Sequence, residues 1–327
     1  MTANQAPLVA AIGIPVVDMV GYLEDFPARG GHSPGTALQI APGGPLINVA
    51  TGVSRLGHAS TLLGKVGKDP LGKLVHEALA SDGVVIPDRM LSEHPTGLVL
   101  VLFDNGGAGE MRSFSFREGS ADTTLGPADI EPELLKGVKA LFLDGLLCFD
   151  ERLTRAGQKA ADLAKGQGAR VFCDPNLRIP EDELASALRE RLDLLIGLSD
   201  EVLLNEREAR ILVRKGTNCG VEQLGALLKD TYASVRRWVI KQGEKGCYIL
   251  SANQSFAYPA FHVEVSDTSG AGDSFDAGWI VGFLEGMDDN KMARFASASA
   301  ALTVSGKGAW CSLPDRKRVC SFLEDRQ

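Results

Sequence analysis

Asp267-Thr268-Ser269-Gly270-Ala271-Gly272-Asp273-Ser274-Phe275 joins two segments of different period. Before it, Phe261-His262-Val263-Glu264-Val265 alternates apolar and polar residues and predicts a strand; after it, Phe275 to Leu284 predicts a helix. The small residues Gly270, Ala271 and Gly272 let the backbone turn tightly and admit a ligand close to it. Amides at a helix start have no intrahelical partner, and the helix dipole adds positive charge there, so such a turn holds phosphate groups. Asp273 falls in the first turn, where the same dipole favours the carboxylate. An ionised carboxylate beside an anion site can take a proton from a hydroxyl while the amides hold the group being transferred. The competing reading is a plain Gly-rich turn with an ordinary first-turn acid. A dinucleotide site would need G-x-G-x-x-G near the first strand, and this stretch offers two glycines late in the chain.

Composition narrows the classes. A 327-residue chain with 44% hydrophobic and 23% charged residues is ordinary for a soluble globular protein, in one large domain with an appendage or in two. The net charge of −8 argues against a general nucleic-acid binder, and Arg316-Lys317-Arg318 is too short to reverse that. Met1 to Pro7 lacks the basic and apolar parts of a signal peptide, and no run reaches the roughly eighteen apolar residues of a membrane span. The six scattered cysteines read mostly as reduced core residues and the five histidines show no metal spacing, so a cytoplasmic enzyme is expected.

Working outward, Leu8 to Ile14 is a short apolar strand buried on both faces, with Asp18 just beyond it in a turn or ligand-facing position. Residues 19 to 41 are rich in Gly and Pro and predict irregular or β structure. Gly43-Gly44 opens a helical run through Leu46 and Asn48 to Leu56, either as a tight capped turn or as a place of close ligand approach. Thr96 to Phe103 and Met111 to Phe116 predict two strands joined by the hairpin signal Asp104-Asn105-Gly106-Gly107. Strand and helix then alternate: strands at Ala140–Leu143, Arg170–Cys173, Asp193–Ile196 and Trp238–Lys241, with a helix beginning at Asn205-Glu206-Arg207-Glu208. Such alternation implies a doubly wound, mainly parallel sheet with helices on both faces. Asn205 and Glu208 are three apart and share a helix face, which by itself is a solvated face with a cap. Asp174-Pro175-Asn176-Leu177-Arg178 ends a strand and reads as a turn or as an anion-facing loop in which Arg178 is a bidentate donor.

Taken together, Asp267 to Phe275, Gly43-Gly44 with Asn48, and Gly57, Gly64, Gly67, Asp69 and Gly72 resemble the two signatures of the ribokinase family, the phosphofructokinase-B type of carbohydrate kinase. The resemblance runs from residue 8 to 313. It implies one ribokinase-like kinase domain over 1–327, with a small β-sheet lid formed by segments near 14–40 and 95–119. The activity implied is Mg²⁺-dependent transfer of the γ-phosphoryl group of ATP to a hydroxyl of a small carbohydrate. Asp273 matches the family's catalytic base, and Gly270, Ala271 and Gly272 match its anion hole. Asp18, Gly43, Gly44 and Asn48 match sugar-contacting positions. The run Phe114 to Ala121 is similar to fructokinases and 2-keto-3-deoxygluconate kinases, which would let Arg117, with Arg178, reach a polar substrate. Asn205 and Glu208 match the N-x-x-E motif whose glutamate organises Mg²⁺-bound water. Lys241, Gly243, Gly246 and Gly308 match the nucleotide side, and Asp267, Ser269, Thr303, Gly308 and Ser312 match a monovalent-cation site, K⁺ in this reading. Pro45 stands where the pattern usually has a small residue or lysine, and Ser297 where it usually has Asn or His. A homodimer through an exposed lid edge is expected from unpaired strands. The rival functions are a nucleoside kinase of the same family, a non-catalytic sugar-binding regulator, and a nicotinamide-dependent oxidoreductase, the last lacking its glycine fingerprint.

Overall fold

The computed structural model describes residues 8–104, 111–177, 179, 184–214 and 219–326. The chain opens with β1 (Val9–Ile12), then β2 (Val16–Leu23), β3 (Gly35–Gly43), α1 (Pro45–Arg55), β4 (Ser60–Leu63), β5 (Val66–Gly67), α2 (Pro70–Ser81), β6 (Val84–Val85) and β7 (Leu91–Ser92). Next come β8 (Leu98–Phe103), β9 (Met111–Phe116), β10 (Ala140–Asp144), α3 (Glu151–Gly166), β11 (Arg170–Asp174), α4 (Ser186–Gly197) and β12 (Glu201–Asn205). The last part holds α5 (Glu206–Val213), α6 (Val221–Thr231), β13 (Arg237–Lys241), β14 (Cys247–Ser251), β15 (Ser255–Tyr258), α7 (Ala271–Leu284), α8 (Asp289–Val304), α9 (Ala309–Ser312) and α10 (Arg316–Glu324).

The large sheet has nine strands in the order β15-β14-β13-β12-β11-β10-β1-β4-β6. It is parallel except for the two antiparallel pairs at the β15 edge. Every residue of β1 and β10 is buried, on both sides of the alternation, so helices cover both faces, as the apolar strand runs require. The chain winds from β1 to β4 and β6 in one direction and from β10 to β13 in the other. The reversal lies between β1 and β10, where open α/β sheets take their ligands at the strands' carboxyl ends. Above that edge sits a separate four-stranded sheet, β3-β2-β8-β9. Asp69 ties it to the body: its carboxylate caps α2 at the Gly72 amide (2.7 Å) and takes the Thr96 amide (2.7 Å) just before β8.

Two expected strands are absent. Residues 193–196 belong to α4, whose buried Leu188, Leu192, Leu195 and Ile196 recur at helical spacing; the strand is Glu201–Asn205. Phe261 to Val265 joins none of the ladders. β15 already occupies the edge beside β14, and Pro259, following it, has no N–H to continue the pairing. Asn105, Gly106 and Gly107 of the expected turn lie outside the described residues, but β8 and β9 do pair antiparallel, Phe103 opposite Met111. Among the described residues no helix is long and apolar enough to cross a membrane.

Candidate active site

Helix α7 carries the central residue and is held close to its neighbours by glycines. A Cβ on Gly52 would lie 2.6 Å from Ala277 Cβ, and one on Gly278 would lie 2.8 Å from Ala296 Cα, so α1 and α8 can approach α7 only because these positions are bare. Gly270 starts the helix with φ +75°, in the left-handed region that glycine adopts without strain. The first-turn amides of α7 are thereby turned toward the sheet's carboxyl edge, with Asp273 among them, 8% exposed. Asn48, on α1, donates its side-chain N–H to Asp273 Oδ2 at 2.7 Å and fixes the carboxylate's rotamer. Asn48 owes its place to Gly44, which begins α1 with φ +97°. Asp18 on β2 lies against Gly43, so Gly43, Gly44, Asn48, Asp18 and Asp273 surround one corner where the small sheet meets the large one.

Behind the turn, Asp267 ties two loops together. Its Oδ1 accepts the Ser269 amide and its Oδ2 the Gly308 amide, both at 2.8 Å. Burial pushes this carboxyl up, but the two amides outweigh it and hold it below the usual carboxylate range. Ser312 donates to the Lys307 carbonyl at 2.9 Å in the same loop pair. Thr303 belongs to it less directly, because its hydroxyl donates to Ser274 (2.8 Å) inside the α7–α8 contact.

On the other side of Gly272 a cleft of about 680 Å³ opens between the ends of β11, β12 and β13 and the α7–α8 pair. Its polar end holds Asp174, Asn205, Glu208 and Lys241; Phe261, Val263, Ala300, Ala301 and Val304 wall the apolar end, with Ser297 among them. Gly243 and Gly246 line it too. Glu208 is 3% exposed. Its Oε2 accepts the Asn205 amide, its Oε1 the Leu177 amide, and its own amide donates to Asn205 Oδ1, each at 2.9 Å. This reciprocal cap explains why the two residues are three apart. Burial, reinforced by the neighbouring Asp174 charge, pushes the Glu208 carboxyl up to about 7, against the pull of the amides and Lys241. Lys241 Nζ is 2.5 Å from Asp174 Oδ2 and 2.9 Å from Asp276 Oδ1.

The remaining expected residues fall differently. Arg117 is engaged by Asp122, at 2.7 Å from Nε and 2.6 Å from Nη2, and Asp122 is fully buried. Arg178 lies outside the described residues. Sequence reading missed Asp276 and Asp122. An acid three residues after Asp273, inside the apolar run of α7, was the available signal, since a buried acid needs a partner.

The description "pfkB family carbohydrate kinase" matches residues 6–316. The chain therefore belongs to the pfkB family of carbohydrate kinases: it is a sugar kinase, a phosphotransferase that uses an alcohol group as acceptor. A fructokinase of Klebsiella pneumoniae is 32% identical over 291 residues, 86% of this chain and 91% of that one. Fructokinase-2 of Solanum habrochaites is 27% identical, covering 98% of each. Among solved structures, an Escherichia coli chain described as a ribokinase II, with ATP and Mg²⁺, superposes with TM-score 0.84 at 25% identity, over 98% of this chain and all of that one. Arabidopsis thaliana ribokinase with ribose and ATP gives 0.81 at 25%, over 98% and 99%.

Proposed function

We propose that this chain, as one kinase domain whose small sheet is the lid, transfers the γ-phosphoryl group of ATP to a hydroxyl of a small sugar, fructose, 2-keto-3-deoxygluconate or a similar compound. The observation that carries the reading is Asp273, buried in the first turn of α7 with Asn48 holding its carboxylate at 2.7 Å. The sugar oxygen attacks the γ-phosphorus, its proton passes to Asp273, and the bond from that phosphorus to the departing ADP oxygen breaks. The amides from Gly270 to Asp273 take the charge on the phosphoryl oxygens, where fixed donors stabilise what develops in the transition state. Asp18, Gly43, Gly44 and Asn48 orient the sugar, and Arg117 and Arg178 are its further contacts in this reading. Asn205, Glu208, Lys241, Gly243, Gly246 and Gly308 serve the nucleotide. Lid closure keeps out water, the competing acceptor.

Mg²⁺ fits the polar end of the cleft. Glu208 and Asp174 bring two acids together there, and the Glu208 carboxyl is pushed up first by burial and then by the Asp174 charge. Asn205 and Glu208 would hold the ion through water, since Mg²⁺ keeps much of its hydration shell; bound, it neutralises phosphate charge. Asp267, Ser269, Gly308 and Ser312, with Thr303 behind them, would serve K⁺. We place the enzyme in the cytoplasm, in keeping with four buried free cysteines, and pair two copies through the lid.

The test is ADP release from ATP across sugars, sugar acids and nucleosides, with Mg²⁺ and with K⁺ against Na⁺. One carbohydrate should stand well above background. Asp273→Asn should lower kcat by roughly 10³-fold while sugar affinity stays within a few-fold; an unchanged kcat would overturn the base assignment. A preference for adenosine or inosine would make it a nucleoside kinase, and sugar binding without turnover a regulator.

A further inference from the structure

Beneath the anion turn, three elements that are distant in sequence meet at one nitrogen. Lys241 ends β13, Asp174 ends β11, and Asp276 lies one turn into α7. The Lys241 side chain is 13% exposed and lines the cleft; Asp174 is 4% and Asp276 0% exposed. An ammonium has three N–H donors, and the two acids take two of them. A Cβ built on Gly272 would be 3.3 Å from Lys241 Nζ, so the nitrogen lies against the turn whose amides face the transferred group.

We infer that Asp174 and Asp276 hold the Lys241 ammonium so that its third N–H contacts the phosphoryl group being transferred. Lys241 is then a catalytic residue and the two acids are positioning residues. The inference rests on the kinase reading above. Burial alone would strip a lone lysine of its proton; the two acids outweigh it and raise Lys241 above its ordinary range. Asp276 is itself driven well above the usual carboxylate range by burial, opposed by Lys241 and reinforced by Asp174. Geometry is what the two acids supply: Asp174 Oδ2 lies 2.5 Å and Asp276 Oδ1 2.9 Å from the nitrogen, so the ammonium's direction is fixed. In phosphoryl transfer a fixed cation of this kind balances charge spread over the equatorial oxygens.

A staple that merely joined β11, β13 and α7 would serve every nucleotide alike, which makes ATP against ADP the informative comparison. Calorimetric titration with ADP and with a non-hydrolysable β,γ-imido analogue of ATP, both in Mg²⁺, reads it without turnover. Lys241→Gln should weaken the analogue by roughly 10- to 100-fold, the loss of one charge-assisted hydrogen bond, and leave ADP within about threefold. Asp276→Asn should lower kcat with little change in sugar KM, and Lys241→Arg should recover part of the Lys241→Gln loss. Should Lys241→Gln fail to fold, Lys241→Gln/Asp276→Asn, which removes an acid with the base, carries the same comparison. Equal losses for ADP and the analogue, or none for either, would overturn the contact and leave the kinase reading standing. Absent transfer by a wild type that still prefers the analogue would sink the kinase reading alone.

Discussion

A Cβ built on Gly43 would lie 2.2 Å from Asp18 Cγ and 2.3 and 2.4 Å from its oxygens, so the Asp18 carboxylate occupies the space that any larger residue would need. Gly44 is bare for another reason: its Cβ would meet the Ile14 carbonyl oxygen at 2.6 Å, at a φ that other residues resist. In the sequence both glycines read as a tight capped turn or as room for a ligand. In the structure that room is used by the protein's own atoms, which place the groups meant for the ligand. Gly43→Ala should therefore displace Asp18 and raise the sugar KM about tenfold or more, with ATP KM within twofold. Steady-state kinetics against each substrate checks this, and equal effects on both would detach Asp18 from the sugar side. The same limit hid Asp276. Its helix and its burial were legible, but its partner Lys241 is 35 residues away on strand β13, and only folding brings them within 2.9 Å.

Elements were legible where one period held and failed where two fit the same residues. Leu194-Leu195-Ile196 is a short apolar run that suits a strand, yet Leu188 and Leu192 before it place the buried side at helical spacing. Phe261 to Val265 has a strand's alternation but no free sheet edge to join. The Asn205–Glu208 pair was legible as a shared helix face with a cap, whereas the second amide held by the buried Glu208 carboxylate comes from Leu177 in β11's loop. That burial makes a pH prediction. The folded Glu208 carboxyl titrates near 7, above its ordinary 4.5. Between these values the folded state binds the proton more than the unfolded state does. The group's stabilising contribution is thus complete below about 4.5 and lost as pH rises through about 7. Urea midpoints of the ligand-free protein should fall between pH 5 and 8 on this account. Glu208→Gln should lower the curve, because an amide cannot accept from both backbone N–H groups, and should flatten that part of it. An unchanged slope would mean that Glu208 ionises normally.

For the whole molecule, the order of strands and helices in the sequence suffices for a doubly wound sheet, but the two sides of the small sheet were not separable until its register was known. Ile40, Met19, Leu100 and Phe114 stand opposite one another across β3, β2, β8 and β9 and so share a face, with Leu38 and Leu102 on one side and Phe116 and Leu98 on the other. Asp18, Gln39, Val99 and Ser115 occupy the opposite face, the one that carries the proposed sugar contacts. Read along β3, Leu38, Gln39 and Ile40 look like a strand with its apolar side in a core. Yet Leu38 is 62% and Phe116 59% exposed, with Ile40 at 44% and Phe114 at 45%. Four large apolar side chains on one exposed face are costly in water, and two copies facing each other would bury them in a self-complementary contact. The lid of each copy would then be braced by the other, so pairing and sugar capture would be coupled while nucleotide binding in the large sheet would not. Sedimentation should show a dimer at micromolar concentration. Leu38→Glu/Phe116→Glu should yield a folded monomer with sugar KM raised several-fold and ADP affinity unchanged. A monomeric wild type would remove the pairing, and a monomeric variant with unaltered sugar KM would separate lid action from assembly.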